Sequence, residues 1–232
     1  MKFTILFDNF PYNANLQPLW GFSCLIELND KKILFDTGSN GRVLLNNAEK
    51  LGIDFKEIDM VFISHNHWDH IGGLDTIIEE NPNITLVVPN TLSKFLIRDL
   101  KSLVKQVIVI NDSIKIDNNI YTTGMIGSEV LEQALVIERN NKLYIISGCG
   151  HPGINYIENI VSKSLKKPIK YIIGGFHLLN TPPLKIQEII KNLKSEFITA
   201  THCTGETAVG MLKIQYKNKF LNGGVGAEID CF

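Results

Sequence analysis

The stretch Ile63-Ser-His-Asn-His-Trp-Asp-His70 decides the fold of this 232-residue chain, because it concentrates metal-type ligands just after an apolar, strand-like run. It places three imidazoles and one carboxylate within six positions. Residues two apart in an extended segment point the same way, so His65 and His67 are placed to chelate one cation. A turn into a helix near Asp69 would direct Asp69 and His70 towards a second cation. A helix-capping turn would explain the aspartate but not the three histidines.

The six histidines of the chain fall in four blocks, each following an apolar, strand-like run. The blocks are the quoted stretch, Gly150-His151, Gly175-Phe-His177 and Thr201-His202. One such histidine alone is more often a hydrogen-bonded core or turn residue than a ligand. Strand ends at one edge of a sheet converge in space, so four blocks in the same position predict one shared site. Two metal ions ~3.5 to 4 Å apart in such a site can hold both the attacking and the leaving oxygen of a substrate.

The composition is that of an ordinary globular protein. With 44% hydrophobic residues, 20% charged residues and a formal net charge of -1, the chain has no long-range field to attract nucleic acid or anionic membrane. We expect a small-molecule substrate and neither a nucleic-acid nor a membrane partner, while a homo-oligomer stays open. No apolar run approaches the ~18 residues of a membrane span, and the Met1–Phe7 segment is not a signal peptide, so we expect a cytoplasmic location.

The four cysteines are Cys24, Cys149, Cys203 and Cys231. They are far apart and form no Cys-x-x-Cys pair, which argues against a zinc ribbon or a disulfide scaffold. We interpret them as buried free thiols. Cys149 and Cys203 nevertheless lie beside histidines of the predicted site.

Hydrophobic periodicity predicts one domain, residues 1–232, of the α/β class. Strands are predicted at 2–7, 22–28, 33–35, 60–64, 85–88, 106–110, 120–123, 134–138, 143–147, 169–173 and 196–200. Helices are predicted at 43–51, 71–80, 156–164, 184–193 and 208–214. Strand runs followed by alternating strands and helices in each half indicate two sheets stacked face to face with helices outside, a four-layer αββα sandwich.

The order His65-x-His67-x-Asp69-His70, placed before Gly72-Gly73, resembles the signature of the metallo-β-lactamase superfamily. The upstream segment Leu34-Phe-Asp36-Thr-Gly38 fits the second hairpin of that family. A narrower resemblance is to the dihydropterin ribofuranosylaminobenzene phosphate synthase-like branch, also called archaeal dihydropteroate-synthase-related. It rests on Phe7-Asp8-Asn9, Ser147-Gly-Cys-Gly-His151, Gly174-Gly-Phe-His-Leu178 and Thr201-His-Cys-Thr-Gly205. Together these blocks span nearly the whole chain.

The resemblance implies a metallo-β-lactamase fold and a metal-dependent enzyme with a hydrolase-type site. It implies two sets of ligands, His65, His67 and His151 for a first metal and Asp69, His70 and His202 for a second. The diiron branch of the family tends to place glutamate where this chain has His67, which favours two zinc ions, although iron or manganese would also suit these ligands. A zinc centre lowers the pKa of bound water to ~7 and supplies hydroxide, which Asp69 would orient as a catalytic residue.

One position departs from the family pattern. Members with two tightly held zinc ions carry a bridging aspartate between the third and last histidines, and this chain has no aspartate between His151 and His202. His177 stands at the corresponding place and is predicted either as a replacement ligand or as a catalytic acid that faces the substrate. The loss of a negative charge between the cations predicts a more weakly held second metal.

Four further residues are candidates for supporting roles. Asp8 and Asp36 end strands near the same edge, where each either orients a ligand histidine or caps a helix. Thr204 and Gly205 begin a helix whose N–H groups either hold a phosphate or carboxylate of the substrate or belong to ordinary helix capping.

The function predicted from these observations is metal-dependent hydrolysis-type chemistry, with metal-bound hydroxide, on a small phosphorylated or pterin-like molecule. The pterin part rests on the resemblance alone. The missing bridging aspartate keeps open a non-catalytic metal-bound sensor or ligand-binding module. A phosphodiesterase or nuclease is the other alternative, which the net charge and the lack of a Lys/Arg-rich arm disfavour.

Overall fold

The computed structural model describes residues 1–230. Within them the chain forms thirteen strands and seven α-helices. The strands are β1 (Lys2–Phe7), β2 (Ser23–Glu27), β3 (Lys32–Phe35), β4 (Met60–Phe62), β5 (Thr85–Pro89), β6 (Gln106–Ile110), β7 (Ile114–Asp117), β8 (Ile120–Thr122), β9 (Leu135–Arg139), β10 (Lys142–Ser147), β11 (Ile169–Gly175), β12 (Phe197–Thr201) and β13 (Glu228–Asp230). The helices are α1 (Gly41–Lys50), α2 (Trp68–Ile71), α3 (Leu74–Glu80), α4 (Lys94–Leu103), α5 (Ile154–Leu165), α6 (Pro183–Lys191) and α7 (Glu206–Tyr216).

The chain divides into two compact units. The first comprises Met1–Asn111 and the segment from Gly223 onward, and the second comprises Asp112–Asn222. Each unit contains its own sheet, its own helices and its own hydrophobic cluster. The α/β class predicted from the sequence is confirmed. The single domain expected over residues 1–232 stays a prediction.

The first unit is built on a seven-stranded sheet in the order β13-β1-β2-β3-β4-β5-β6. The strands from β13 to β3 pair antiparallel, whereas β3, β4, β5 and β6 run parallel. Leu34, Val61 and Leu86 of the sheet pack in one core with Leu44 of α1 and Ile77 of α3. Since neighbouring parallel strands end at one edge, the chain that leaves β3 and the chain that leaves β4 lie side by side there.

The second unit is built on a six-stranded sheet in the order β12-β11-β10-β9-β8-β7. Strands β7 to β10 form an antiparallel meander, and β10, β11 and β12 run parallel. Ile145, Ile172 and Ile198 of the sheet pack with Ile157 of α5 and Leu212 of α7. The carboxyl ends of the three parallel strands carry the other three histidine blocks, so the fold places these blocks at one edge of this sheet.

The single helix predicted at 71–80 is wrong, because the structure has two helices, α2 and α3, separated by Gly72 and Gly73. The Gly72 N–H donates to the Gly38 carbonyl at 2.8 Å. A Cβ atom on Gly72 would lie 2.5 Å from the Ser39 carbonyl oxygen, and one on Gly73 would lie 2.5 Å from that of Thr37. The two glycines therefore allow the chain leaving the histidine motif to pass against the loop that follows β3.

The structure adds three elements to those predicted, namely α4, β7 and β13. In helix α4, Leu100 is buried, whereas Phe95 and Leu103 are exposed. Strand β13 pairs with β1, a partner more than 200 residues away in sequence, as shown by the Lys2–Asp230 register. Within residues 1–230 no helix is both long enough and apolar enough to cross a membrane.

Three of the cysteines, Cys24, Cys149 and Cys203, are buried free thiols, as predicted. Cys231 lies outside the described residues.

Replacing Asn47 with alanine should lower the free energy of unfolding by about 2–3 kcal/mol. The buried Asn47 amide donates to the Leu6 and Gln17 carbonyls at 3.1 and 3.0 Å and accepts the Gln17 N–H at 3.0 Å. Urea unfolding measures the loss. Asn46→Ala, on the same helix but at a partly exposed position, is the matched control and should cost less than half as much. Equal losses in the two variants would contradict this role for Asn47.

Candidate metal centre

Within residues 1–230, the predicted metal ligands and the cysteines beside them form one cluster in each unit. The amino-terminal cluster consists of His65, His67, Asp69 and His70. The carboxy-terminal cluster consists of Cys149, His151, His177, His202 and Cys203.

The amino-terminal cluster begins where β4 ends. The chain stays extended as far as His67, whose φ and ψ are -74° and 144°, and α2 then begins at Trp68. The His65 side chain is fully buried, and Trp68 is 64% exposed. Asn66, which lies between the two histidines in the extended segment, is exposed, as the alternation predicts.

The Asp36 carboxylate, fully buried directly after β3, holds this segment in place. One oxygen accepts the Ser64 N–H at 2.7 Å. The other accepts the Ser64 hydroxyl and the Nδ1 of His70, both at 2.7 Å. One carboxylate thus fixes both the strand-like start of the motif and the helical end of it.

These hydrogen bonds also decide which ring nitrogens carry hydrogen. A carboxylate paired with His70 Nδ1 accepts, so Nδ1 donates and the lone pair of a neutral ring lies on Nε2. The Ser64 hydroxyl donates to Asp36 and lies 2.9 Å from His65 Nδ1, so it accepts from that nitrogen. The lone pair of His65 is therefore also on Nε2, the atom that faces the rest of the cluster.

The donor atoms of this cluster fit a metal ion. His65 Nε2 and His67 Nδ1 lie 3.0 Å apart. Two nitrogens bound to one zinc ion at ~2.0–2.1 Å in tetrahedral geometry are ~3.3 Å apart, so only a small adjustment is needed. His70 Nε2 lies 3.7 Å from an Asp69 carboxylate oxygen, so a second pair of donors is also close enough to share an ion.

The carboxy-terminal cluster lies where β10, β11 and β12 end. Cys149 Sγ is 3.4 Å from His202 Nε2, and the rings of His151 and His177 are 4.4 Å apart between centroids. Ligand atoms of Cys149, His177 and Cys203 all lie within 4.8 Å of one another. This unit therefore also brings several imidazole and thiol groups together.

Cys203 and His177 shift one another's ionisation. Burial raises the pKa of the Cys203 thiol, but hydrogen bonds with Cys149 and His177 and the charge of His202 outweigh it and hold that pKa well below its usual range. The hydrogen bond with Cys203 in turn raises the pKa of His177. Because the thiolate is the form that binds a metal ion, a lowered pKa makes a thiol a better ligand.

Three residues at these strand ends have positive φ although they are not glycine. The φ angles are 53° for Asp36, 54° for His177 and 52° for His202. Such angles are uncommon for residues with a Cβ atom, although aspartate and histidine adopt them more readily than most, and they are enriched at functional sites. The fold therefore tolerates strain at three of the residues singled out from the sequence.

The remaining predicted residues have structural contacts. Asp8 is fully buried, and its carboxylate accepts the Phe10 N–H at 2.8 Å. The Thr204 hydroxyl donates to the Thr201 carbonyl at 2.6 Å and accepts the Phe176 N–H at 3.0 Å. Thr204 thus ties the chain that leaves β12 to the chain that leaves β11.

Gly205, with φ of 79°, is the N-cap of α7. A Cβ atom there would lie 2.8 Å from the Leu179 Cα. Glycine is therefore required at this position by the close approach of the backbone, whatever else α7 does. The prediction that all four histidine blocks form a single site stays a prediction, as does the binding of substrate at Thr204 and Gly205.

Known proteins have similar sequences and a similar fold. The family model of the metallo-beta-lactamase superfamily matches residues 18–135. The chain is 32% identical to the 7,8-dihydropterin-6-methyl-4-(β-D-ribofuranosyl)-aminobenzene-5'-phosphate synthase of Methanocaldococcus jannaschii, over 94% of this chain and 92% of that protein. A ribonuclease Z of Clostridium botulinum is 27% identical over 72% of this chain and 49% of its own length.

Among solved structures, that of Tm1679, a metal-dependent hydrolase of the β-lactamase superfamily, is similar with a TM-score of 0.79 and 26% identity, covering 100% of this chain and 99% of that one. The chain belongs to the metallo-β-lactamase superfamily. The fold class and the family resemblance predicted from the sequence are thereby confirmed.

Substituting Asp36 with asparagine should destabilise the protein by about 2–3 kcal/mol, because an amide cannot accept all three hydrogen bonds that the carboxylate accepts. The free energy of unfolding in urea, measured without added metal, tests this. Asp59→Asn is the control, since the exposed Asp59 accepts one hydrogen bond, from the Lys32 N–H at 2.8 Å. A loss at Asp36 no larger than at Asp59 would show that Asp36 does not hold the motif.

Proposed function

We propose that the protein is a metal-dependent enzyme with a dinuclear zinc centre that acts on a small phosphorylated or pterin-like molecule. The first ion would be held by His65, His67 and His151, and the second by Asp69, His70 and His202. The observation that carries the proposal is the pair of nitrogens, His65 Nε2 and His67 Nδ1, held 3.0 Å apart.

The protonation states support a site built for cations. Asp36 and Ser64 accept hydrogen bonds from the Nδ1 atoms of His70 and His65. Each Nε2 atom therefore carries a lone pair that can bind a metal ion. Carboxylate partners of this kind raise the basicity of a ligand imidazole and fix its orientation. Burying these polar side chains costs free energy in a protein without metal. A bound ion would offset that cost.

A divalent ion bound here would polarise a phosphoryl or carbonyl oxygen and lower the pKa of a bound water to about 7. The chain's own part in the reaction is to orient and to move protons. In the proposal, the Asp69 carboxylate accepts a hydrogen bond from the attacking water and fixes its direction. His177 donates a proton to the leaving group.

A pocket of about 490 Å³ supports a small-molecule substrate and the assignment of His177. His151 and His177 line it together with Tyr156, Pro152 and residues 127–130. Its size is within the ~300–1,000 Å³ of ordinary ligand pockets. The Tyr156 ring is 51% exposed and offers a flat apolar face to an aromatic ring system such as a pterin. The similarity to the synthase of M. jannaschii supports the same class of substrate.

Protein purified with added zinc should contain two metal ions per chain, and His65→Ala should contain one or fewer. Elemental analysis by mass spectrometry measures both. Asn66→Ala is the matched control, because Asn66 is exposed between the two ligand histidines and should leave the metal content unchanged. Less than one ion per wild-type chain would count against the enzyme and favour a ligand-binding module without a metal.

His177→Gln should keep the metal content of the wild type and lose at least tenfold in turnover, since a general acid contributes about 10²–10⁴-fold to a rate. A lower metal content in this variant would show instead that His177 is a ligand. The conjugate named for the M. jannaschii enzyme, a dihydropterin joined to ribofuranosylaminobenzene phosphate, is the first compound to test by calorimetric titration. Absence of binding to the zinc-loaded protein would remove the pterin part of the proposal.

The nuclease or phosphodiesterase alternative has a separate test. Hydrolysis of bis-p-nitrophenyl phosphate by the wild type, abolished in His67→Ala, would favour it over the small-molecule reading. The similarity to ribonuclease Z keeps this measurement relevant, although that similarity spans about half of the ribonuclease.

A further inference from the structure

We infer that Glu132 is a positioning residue that holds the segment carrying His151 in its metal-binding conformation. Glu132 lies outside every motif recognised in the sequence, just before β9, and its side chain is 1% exposed. The functional consequence of this inference rests on the proposed metal centre, whereas its structural part does not.

The evidence is a series of consecutive backbone hydrogen bonds. One oxygen of the Glu132 carboxylate accepts the N–H groups of Gly148, Cys149 and Gly150 at 3.0, 3.1 and 3.0 Å. The other oxygen accepts the His151 N–H at 2.9 Å. Four successive N–H groups converging on one anion form a concave anion-binding backbone, here filled by a side chain of the same unit.

Glu132 is itself fixed by the backbone. Its N–H donates to the Ile126 carbonyl at 2.9 Å, and its carbonyl accepts the Ile126 N–H at 3.0 Å. The position of the carboxylate is therefore set by the loop between β8 and β9. That loop includes residues 127–130, which line the same pocket as His151. Glu132 thus connects one wall of the pocket to the segment that carries a proposed ligand.

The segment needs such an anchor because its conformation is unusual. Gly150 has φ of 77°, and a Cβ atom there would lie 2.9 Å from the Gly175 carbonyl oxygen. A chain that turns with its N–H groups all pointing inward would leave those groups without acceptors unless an anion lies at the centre. With the carboxylate present, the direction in which the His151 side chain leaves the backbone is fixed.

Glu132→Gln is the decisive substitution, because it preserves the shape of the side chain but replaces one accepting oxygen with an N–H₂ group that faces backbone N–H donors. The expected result is a 10- to 100-fold loss of zinc affinity, about the size found when groups that orient metal ligands are removed. Competition with a chromophoric zinc chelator measures the affinity. Glu132→Asp keeps the charge but sets it back by one methylene, and it should also lose affinity if the position of the carboxylate is what matters.

Glu158→Gln is the matched control. The Glu158 carboxylate is equally buried and accepts two backbone N–H groups, those of Lys194 and Ser195, at 2.8 and 3.0 Å. These amides belong to a segment without a proposed ligand. Glu158→Gln should therefore reduce stability towards urea but change zinc affinity by less than twofold. Equal zinc affinities of the Glu132→Gln and Glu158→Gln proteins would overturn the inference, since Glu132 would then be only a structural clamp.

Hydrogen exchange of the wild-type protein without metal gives a test that needs no variant. The amides of Gly148, Cys149, Gly150 and His151 should exchange as slowly as those in the adjoining β10. Exchange at the rate of an exposed loop would overturn the inference even if both glutamine variants failed to fold. If the wild type bound no zinc while these amides were protected, the metal centre would fail and the anchoring by Glu132 would stand.

Discussion

The hydrogen bonds of the Asp36 carboxylate are the constraint on which the amino-terminal cluster depends. The carboxylate is fully buried, and such a charge is tolerable only when donors surround it. Ser64 and His70 provide those donors from two ends of the same motif. Because Ser64 and His70 are hydrogen-bonded to Asp36, their side chains cannot rotate freely. The lone pairs of the His65 and His70 rings therefore have a fixed direction.

The second unit uses the same physical device. Glu132 anchors the segment after β10, and Glu158 anchors the segment that leads into β12. In each case a buried carboxylate accepts hydrogen bonds from backbone N–H groups of a loop. These N–H groups lie outside the strands and helices and so have no partner in a regular hydrogen-bond pattern. Hydrogen bonds of this kind fix the backbone of irregular segments, which a site with precise geometry needs. Two of these carboxylates, those of Asp36 and Glu132, hold segments that carry ligand candidates, whereas the segment held by Glu158 carries none.

Much of the fold follows from local patterns in the sequence. The apolar runs of β1, β4 and β10 were bounded by turn residues, and their periodicity predicted their position closely. The break between α2 and α3 could not be predicted in this way. It arises because Gly72 and Gly73 pass against the loop after β3, a contact between segments more than 30 residues apart. Hydrophobic periodicity carries no information on such a contact.

By itself, the sequence determined the superfamily, the four histidine blocks and their place at strand ends, because these depend on residue type and short spacing. Only the tertiary structure decided which nitrogen of His65 and His70 carries hydrogen, since Asp36 lies 34 positions before His70. It also decided that Glu132 meets the backbone of a segment 16 to 19 positions later. A hydrogen bond depends on distance in space, and a chain with conformational freedom does not reveal that distance until its core has packed.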